Sequence, residues 1–560
     1  YNLGLALYFQ NKLDDAYDAF YKATWSNEQQ ETSFYYLAAI EAGRQNWKSA
    51  LELVEKGLVK NAHNIKARGL KAVILRKLGK KEEAKEWCYK NLEVDSFDYV
   101  SRFELAKGSE EAQPILDEMN GLMRDFHENY LQVARDYAEA KCYQEAIAIL
   151  EQCTQSQPML FYYKAYYLGK MGKADESTAA YQNANNCSPI YCFPNKLEDI
   201  AVLEDAIHQY SQGAKAYYYL GNLYYDKLQF EKATGLWEIS AGLDGSYPTV
   251  HRNLALAYYN KQNDAEKAKV ELEKAFALDE TDTRVFLELD QLYKKMGVAF
   301  ETRLQNYEAH KDILAERDDV MLEYVTLYNL LGMHQKAYDT IMNHRFRAWE
   351  GAEGRISGQY KIALTEMAKE EIVKKNFKAA KELLEKALLY PVNLGEGRLE
   401  GTKDNNIYYY LGVVEAEFGE AERSEECFKN AELGVDEPAG AMYYYDQPAD
   451  MILYKGLANR KLGNTNAACV CFNKLMDYGK KHLYDKMKND YFAVSLPDFL
   501  IFEDDRNQKN RAHCHYLMGL ANVGMGNKEE AAVQFKKALQ YDFNHQNCRI
   551  YLKMVKEAVC

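Results

Sequence analysis

Proline is scarce in this chain, with only nine among 560 residues, and 47 % of the residues are hydrophobic. This composition predicts an ordered chain rich in helix rather than a disordered one. Long apolar runs are also missing. Because a membrane-spanning helix needs about 20 consecutive apolar residues, we expect no membrane insertion. No signal peptide is visible at the start. Since the chain opens at Tyr1 inside a repeat, we expect residues upstream of it.

An excess of positive charge is lacking too. The chain carries 70 Lys and Arg against 84 Asp and Glu, a formal net charge of −14. Nucleic-acid binders need a basic surface for the phosphate backbone, so we expect no nucleic-acid partner. The 11 cysteines form no regular framework. An odd number with irregular spacing is typical of reduced thiols and predicts a cytoplasmic protein.

Catalytic and cofactor motifs are absent from the sequence. It contains neither a G-x-S-x-G nor an HExxH pattern, and its glycine-rich stretches lack the Lys-Ser/Thr ending of a phosphate-binding loop. His513 and His515 stand two positions apart. On a helix they would point about 200° away from each other and could not hold one metal ion. We therefore expect no metal, no cofactor and no enzymatic activity of this chain alone.

Tyrosine is abundant by contrast, with 46 residues against 22 Phe and 5 Trp. A tyrosine buries its ring and keeps its hydroxyl at a polar edge. This suits a stack of thin helical layers better than one thick core.

A fixed spacing of small and large residues repeats along the chain. The first copy has Gly4, then Ala16 twelve residues later, Phe20 after four more and Ala23 after three. Further copies begin at Gly221, Gly412, Gly456 and Gly519. Small residues allow two antiparallel helices to approach closely, and the aromatic residue four positions on lies on the same helix face. Short polar turns such as 43–46, 78–80, 171–173 and 462–464 separate the two helices, where glycine can end a helix in the left-handed conformation.

This spacing resembles that of the tetratricopeptide repeat (TPR) family, above all at 516–545 and 214–244. The resemblance implies an all-α fold, a right-handed TPR-like α-solenoid superhelix of antiparallel helix pairs with a concave face. Each pair would bury its apolar face only against its neighbours, so stability would be a sum over adjacent pairs. Degenerate copies lie near 96–125, 190–212 and 283–320.

Three inserts interrupt the period and divide the chain. We predict a repeat array over 1–343, a helix pair flanked by glycine-rich inserts over 344–408, and further repeats over 409–560 with an insert at 490–511. The inserts at 344–358 and 390–408 share a Glu-Gly-Arg step about 43 residues apart, which predicts that they emerge on the same side of adjacent repeats. The combination resembles the C-terminal part of a bacterial family, common in Bacteroidetes, that carries a domain of unknown function ahead of a TPR array.

Long loops inside a regular array are often functional, so the inserts supply candidate contact residues. Arginine and aromatic side chains anchor many protein interfaces. The candidates of this kind are Arg345, Arg347, Trp349, Glu350, Arg355, Glu396 and Arg398. Asp404 and Asn405 would bond a polar ligand such as a sugar. Alternatively, Asn405 caps the helix that begins near Ile407.

A second candidate site is a pair of asparagines in neighbouring repeats. Asn222 and Asn253 stand where some TPR proteins grip the C-terminal carboxylate of a peptide. Tyr218 and Phe286, however, replace the Lys and Arg of that clamp. The alternative is that the two asparagines form local bonds.

The sequence thus favours a protein-interaction scaffold. Its concave face would bind a protein or peptide segment, or the protein's own N-terminal domain. The alternative function is an accessory region that completes a carbohydrate-binding or carbohydrate-active site formed mainly by that domain.

Overall fold

The computed structural model describes residues 1–107, 109–347, 352–440, 447–487 and 501–557. Within these ranges the chain forms 31 α-helices and two short 3-10 helices, and no β-strand. The predicted all-α fold is confirmed. None of the described helices combines the length and the apolar composition needed to cross a bilayer.

The structure divides into two compact units, Tyr1–Leu254 and Ala255–Cys560. The helices of the first unit are α1 (Asn2–Phe9), α2 (Leu13–Ala23), α3 (Gln30–Gly43), α4 (Trp47–Lys60), α5 (Ile65–Lys77), α6 (Lys81–Val94), α7 (Tyr99–Lys107), α8 (Ala112–Met123), α9 (His127–Glu139), α10 (Tyr143–Leu150), α11 (Pro158–Lys170), α12 (Ala174–Asn186), α13 (Leu197–Gln209), α14 (Ala214–Asp226) and α15 (Phe230–Leu243). Helix α16 (Pro248–Gln262) begins in the first unit and ends in the second.

The second unit continues the same pattern. Its helices are α17 (Ala265–Leu278), α18 (Thr283–Lys295), α19 (Phe300–Ala309), α20 (Lys311–Leu314), α21 (Asp318–Leu330), α22 (His334–Met342), α23 (Arg355–Val373), α24 (Phe377–Ala387), α25 (Asn405–Glu417), α26 (Ala421–Ala431), α27 (Asp450–Lys461), α28 (Thr465–His482), α29 (Arg506–Met525), α30 (Lys528–Tyr541) and α31 (Gln546–Glu557). Helix α29 begins at Arg506, before the end of the predicted insert at 490–511. There Asp505 caps the helix by accepting bonds from the backbone N–H of Asn507 and Gln508.

The glycines of the predicted spacing lie where two helices of a pair meet. At Gly519 an added methyl group would stand 2.4 Å from the ring of Phe535, sixteen residues further on, which leaves no room for it. The same close approach joins the other glycine–aromatic pairs of the series, Gly4 and Phe20, Gly221 and Trp237, Gly412 and Phe428, and Gly456 and Phe472. The interval of twelve plus four residues therefore measures one helix-to-helix contact, as predicted.

The turns between paired helices follow the predicted chemistry at three of the four positions. Gly79, Gly172 and Gly463 have φ values of 80°, 77° and 83°, in the left-handed region that favours glycine. The prediction is wrong at 43–46. There Gly43 ends helix α3, and Gln45 takes the left-handed conformation with φ of 63°.

The degenerate copies differ in their outcome. Residues 96–125 still form a helix pair, α7 and α8. Residues 190–212 hold a single helix, α13, which packs against α11 and α14 and has no second helix of its own. The period is lost there because one helix replaces two.

The first helix of each pair contacts the first helices of the neighbouring pairs, and we call this row the first-helix layer. In the second unit the layer runs through α18, α21, α23, α25, α27 and α29. Side-chain bonds also join helices that are not neighbours, for example Tyr35 of α3 with Glu139 of α9, 104 residues apart. The expectation that each pair packs only against adjacent pairs is therefore incomplete. First helices that are not adjacent in the array therefore also contact each other, as α3 and α5 do with α9.

Candidate protein-binding surfaces

The first-helix layer of the second unit is occupied by α31, the last helix among the described residues. Helix α31 packs against α30 and α29, as the next helix of a regular array would. It also touches first helices two to four pairs away. The residues that hold it are Gln359 on α23, Tyr410 on α25, and Asp450 and Tyr454 on α27, and we call these four residues the α31 seat.

Polar bonds fix α31 in the seat. The amides of Gln359 and Gln546 bond reciprocally at 2.8 and 3.1 Å. The hydroxyl of Tyr551 donates to the Asp450 carboxylate at 3.2 Å. The hydroxyl of Tyr410 contacts the sulfur of Met554 at 3.8 Å. Side chains of the seat thus contact α31 near its start, its middle and its end.

Apolar contacts enclose the same face of α31. Tyr551 is 4 % exposed and its ring lies 6.0 Å from the rings of both Phe535 and Tyr516. Cys548, Met554 and Val555 are buried as well. Burying a side chain of this size stabilises the packing of α31 by roughly 1.5–3 kcal/mol. The apolar face therefore contributes most to holding α31 in the seat.

The turn before α31 contacts α18 and the start of α19, which lie near the beginning of the second unit in sequence. Phe543 stacks on Phe300 with ring centres 5.1 Å apart, and the guanidinium of Arg549 lies 4.5 and 4.4 Å from the two ring centres. Asn544 donates to the backbone carbonyl of Lys294 at 3.0 Å. This brings residues about 250 positions apart together.

Among the described residues, no cationic side chain forms a hydrogen bond with the carboxylate of Asp450 in the seat. Burial raises the pKa of Asp450 above its ordinary value, against the effects of its hydrogen bonds and of Lys361. Its side chain accepts from the Tyr551 hydroxyl, and Lys361 itself donates to Asp404 at 2.9 Å. Asp450 therefore favours a donor group on whatever helix lies in the seat.

In the first unit, a cluster of charged side chains joins the first helices α3, α5 and α9. Lys66 on α5 lies 3.1 Å from Asp136 and 3.5 Å from Glu139, both on α9. The hydroxyl of Tyr35 donates to Glu139. Burial raises the pKa of Glu139 to about 7, although Lys66 acts in the opposite direction. This cluster ties three first helices together.

The two asparagines of the predicted clamp bond each other. Asn253 donates to the side-chain oxygen of Asn222 at 3.0 Å, and the indole N–H of Trp237 donates to the same oxygen at 3.0 Å. The structure thus shows the local bonds of the alternative interpretation. The side-chain oxygen of Asn222 thus links Trp237, the aromatic residue of its own repeat, to Asn253 in the next repeat.

The two glycine-rich inserts lie side by side, as their shared pattern predicted. The Glu396 carboxylate accepts from the backbone N–H of Gly354 and of Ser357, each at 2.8 Å. It therefore satisfies free N–H groups at the start of α23. Asn393 and Phe346 also join the two inserts through a backbone bond of 2.8 Å.

Three further candidates are engaged within the fold. The guanidinium of Arg398 binds Asp404 through two nitrogens, at 3.1 and 2.9 Å. Asn405 is 1 % exposed and donates to the backbone carbonyls of Ala431 and Leu433 at 2.6 and 2.8 Å. Asn405 does not cap its own helix, because α25 begins at Asn405 itself and the cap position is Asp404. It satisfies the end of α26 instead.

The remaining candidates divide between exposed and undescribed residues. Arg345, Arg347 and Arg355 are exposed. Trp349 and Glu350 lie outside the described residues. The repeat spacing gives no indication of α31 or of its seat. A signal was present, since Cys548, Tyr551, Met554 and Val555 recur at three- and four-residue intervals after the last full repeat.

His513 and His515 diverge on α29, as their spacing predicted. His513 bonds the backbone carbonyl of Ala439 at 2.9 Å, and His515 bonds the side chain of Gln534 at 2.8 Å. The two rings therefore serve different neighbours.

Several solved structures are similar to this chain. Solved structures that match include the TPR domain of P58(IPK), at 12 % identity and a TM-score of 0.23, over 88 % of this chain and 98 % of that chain. Naa15/Naa10 bound to HypK-THB matches at 14 % identity and a TM-score of 0.23, over 100 % and 96 %. YrrB, described as a TPR protein with an unusual peptide-binding site, matches at 16 % identity and a TM-score of 0.17, over 43 % and 99 %.

The family model of the tetratricopeptide repeat matches two segments, residues 65–98 and 512–545. The first begins with the helix pair α5 and α6, and the second contains most of α29 and all of α30. The chain therefore contains tetratricopeptide repeats.

Proposed function

We propose that this chain is a protein-interaction scaffold that binds a protein segment, or an adjoining domain of the same polypeptide, through its helix-pair arrays. TPR arrays support this proposal because their first-helix layers present side chains from many repeats to one ligand. The observation that carries it is the α31 seat. In the second unit a layer of first helices already holds a separate helix by specific side-chain contacts.

The proposal assigns no catalytic role to the chain, and it places the protein in the cytoplasm. All ten cysteines among the described residues are free thiols. Free thiols are typical of a reducing compartment and support that location.

The alternative, an accessory role in a carbohydrate site, receives less support. Glu396, Arg398, Asp404 and Asn405 make bonds within the fold, so a sugar would have to displace them. The exposed Arg345 and Arg347 are the residues that would serve either function. A glycan titration of the chain followed by tryptophan fluorescence tests this alternative.

Selection from a displayed peptide library tests the proposed function. The purified full chain is immobilised, and enriched peptides are synthesised and titrated by fluorescence anisotropy. We expect some of them to bind with dissociation constants in the micromolar range or below. If no enriched peptide binds this chain more tightly than it binds a helical-repeat protein of unrelated sequence, the proposed function is wrong.

A further inference from the structure

Helix α31 differs in charge from the protein that holds it. It carries Arg549, Lys553 and Lys556 against a single acid, Glu557, whereas the whole chain has a net charge of −14. Its buried residues lie along one stripe of the helix and its lysines lie outside that stripe. Helix α31 is therefore a basic amphipathic helix on an acidic protein.

The bonds that hold α31 are of a kind that a separate polypeptide can make. They are one pair of amides, one hydroxyl on a carboxylate, one hydroxyl on a thioether, and contacts between aromatic rings. No disulfide joins α31 to its seat, since Cys548 is a free thiol. The contacts with the four seat residues are made by side chains of α31.

The short link to α30 adds to these contacts by keeping α31 close to the seat. Only residues 542–545 separate the two helices. A tether this short gives an effective concentration of the order of millimolar or higher, which a free ligand rarely reaches. An external helix of equal intrinsic affinity would therefore compete at a disadvantage.

We infer that α31 is an internal ligand of the second unit, and that its seat accepts in exchange a basic amphipathic helix of a partner protein. The partner helix carries an aromatic residue with a hydrogen-bond donor in the place of Tyr551. Three residues later it carries a long apolar side chain in the place of Met554. This inference rests on the proposed function and names the class of its ligand. It adds that α31 inhibits the free chain.

The net charge of −14 supports the choice of a basic partner over other occupants. In the seat itself, Asp450 accepts a hydrogen bond from a neutral hydroxyl group. Asp542 favours the charged form of Arg549, although burial is the larger influence and lowers the pKa of that guanidinium. A helix with acidic residues at the positions of Arg549, Lys553 and Lys556 would meet a protein of the same sign of charge. Like charges at an interface suppress wrong partners.

The size of the inhibition follows from the population of the closed state. If α31 is seated in about 99 % of molecules, the apparent affinity of an external helix falls about 100-fold. A variant that weakens the packing of α31 but leaves the seat unchanged should restore the affinity for an external helix. Such a variant therefore tests whether α31 blocks the seat.

The experiment uses the full chain and a fluorescent peptide of residues 543–557 under reducing conditions. Three proteins are compared: the wild type, the loosened variant Tyr551→Ala/Met554→Ala, and the matched control Lys556→Ala, which changes an exposed residue of the same helix. Fluorescence anisotropy gives the affinity, and hydrogen exchange reports on α31, α25 and α27. The milder variant Tyr551→Phe, which removes the hydroxyl that donates to Asp450, replaces the double variant if the latter loses its helical circular dichroism.

We expect the peptide to bind the loosened variant at least ten-fold more tightly than the wild type, and Lys556→Ala to behave like the wild type. With Tyr551→Phe the gain should be several-fold. The bound peptide should slow exchange in α25 and α27. A peptide carrying Tyr551→Ala, or glutamate in place of its three basic residues, should bind at least ten-fold more weakly.

Three results would overturn the inference. One is equal affinity of the peptide for the wild type and for a variant whose α31 exchanges freely. Another is binding that leaves exchange in α25 and α27 unchanged. A third is a loosened chain that forms dimers by exchanging α31 and gains no affinity for the peptide. Library peptides that bind the wild type while α31 stays protected would leave the proposed function standing and refute only the inference.

Discussion

The glycine at the crossing of two helices gives a sharp test of the repeat geometry. In the pair α14 and α15, a methyl group added at Gly221 would lie 2.5 Å from both Cδ1 and Nε1 of Trp237 and 3.2 Å from the carbonyl oxygen of Ala233. Trp237 is 3 % exposed. Its indole N–H bonds the carbonyl of Tyr218 and the side chain of Asn222. Neither the ring nor the backbone has room to move.

The expected effect of Gly221→Ala is the sum of opposing contributions. Overpacking a core costs about 1–3 kcal/mol. Displacing Trp237 weakens its hydrogen bonds, at about 1 kcal/mol. Alanine favours a helix over glycine by about 1 kcal/mol. We therefore expect a net loss of roughly 1–3 kcal/mol of unfolding free energy.

The same helix pair offers a matched control. Gly235 lies inside α15, and an added methyl group there would have no neighbour within 4 Å. We expect Gly235→Ala to stabilise the protein by about 0.5–1 kcal/mol, because only the backbone effect remains. Urea titration followed by circular dichroism, with hydrogen exchange over 214–243 to locate the change, measures both variants.

A double variant checks the cause. Trp237→Phe in the Gly221→Ala background shrinks the ring that the methyl group meets, so the two changes should couple by at least about 0.5 kcal/mol. If Gly221→Ala is as stable as the wild type, or if both alanine variants shift stability in the same direction, then this contact does not govern the helix crossing.

Further predictions concern groups that the sequence does not mark as structural. The pKa of Glu139 is about 7 in the folded chain against an ordinary 4.5, so stability falls as pH rises through this interval, by up to about 3 kcal/mol. Glu139→Gln should flatten the dependence of Tm on pH between about 5 and 8, and an unchanged slope would exclude Glu139 as its source. Glu396→Ala should cost about 1–2 kcal/mol and speed exchange at Gly354 and Ser357, because it removes a helix cap; unchanged exchange at both amides would argue against that role. Asn405→Ala should cost about 1–3 kcal/mol and fray α26, since two carbonyls lose their donor; if α26 exchange is the same as in the wild type, the bond is not stabilising.

The candidate contact residues show the limits of reading roles from loops. Glycine-rich inserts marked Glu396, Asp404 and Asn405 as ligand contacts, and the structure gives each an internal bond. Polar residues in a long loop must first satisfy the backbone groups that the loop leaves unpaired. Their type shows that they form hydrogen bonds but not with which partner.

The sequence by itself determined the local unit. Gly519 and Phe535 predict a close helix crossing, because that contact depends only on two positions at a fixed interval in the sequence. The same holds for Gly221 and Trp237. Such contacts are periodic, and a period can be read from one chain. The turn glycines Gly79, Gly172 and Gly463 were predictable for the same local reason.

Only the tertiary structure decided which distant surfaces meet. Tyr551 reaches Asp450 across 101 residues, and Asn544 reaches Lys294 across 250. These contacts depend on the small rotation that each repeat adds to the one before it, and the rotations accumulate along the layer. No fixed interval in the sequence records that sum. The spacing therefore predicted how each helix finds its neighbour, but not that the last helix would occupy the surface expected to be open.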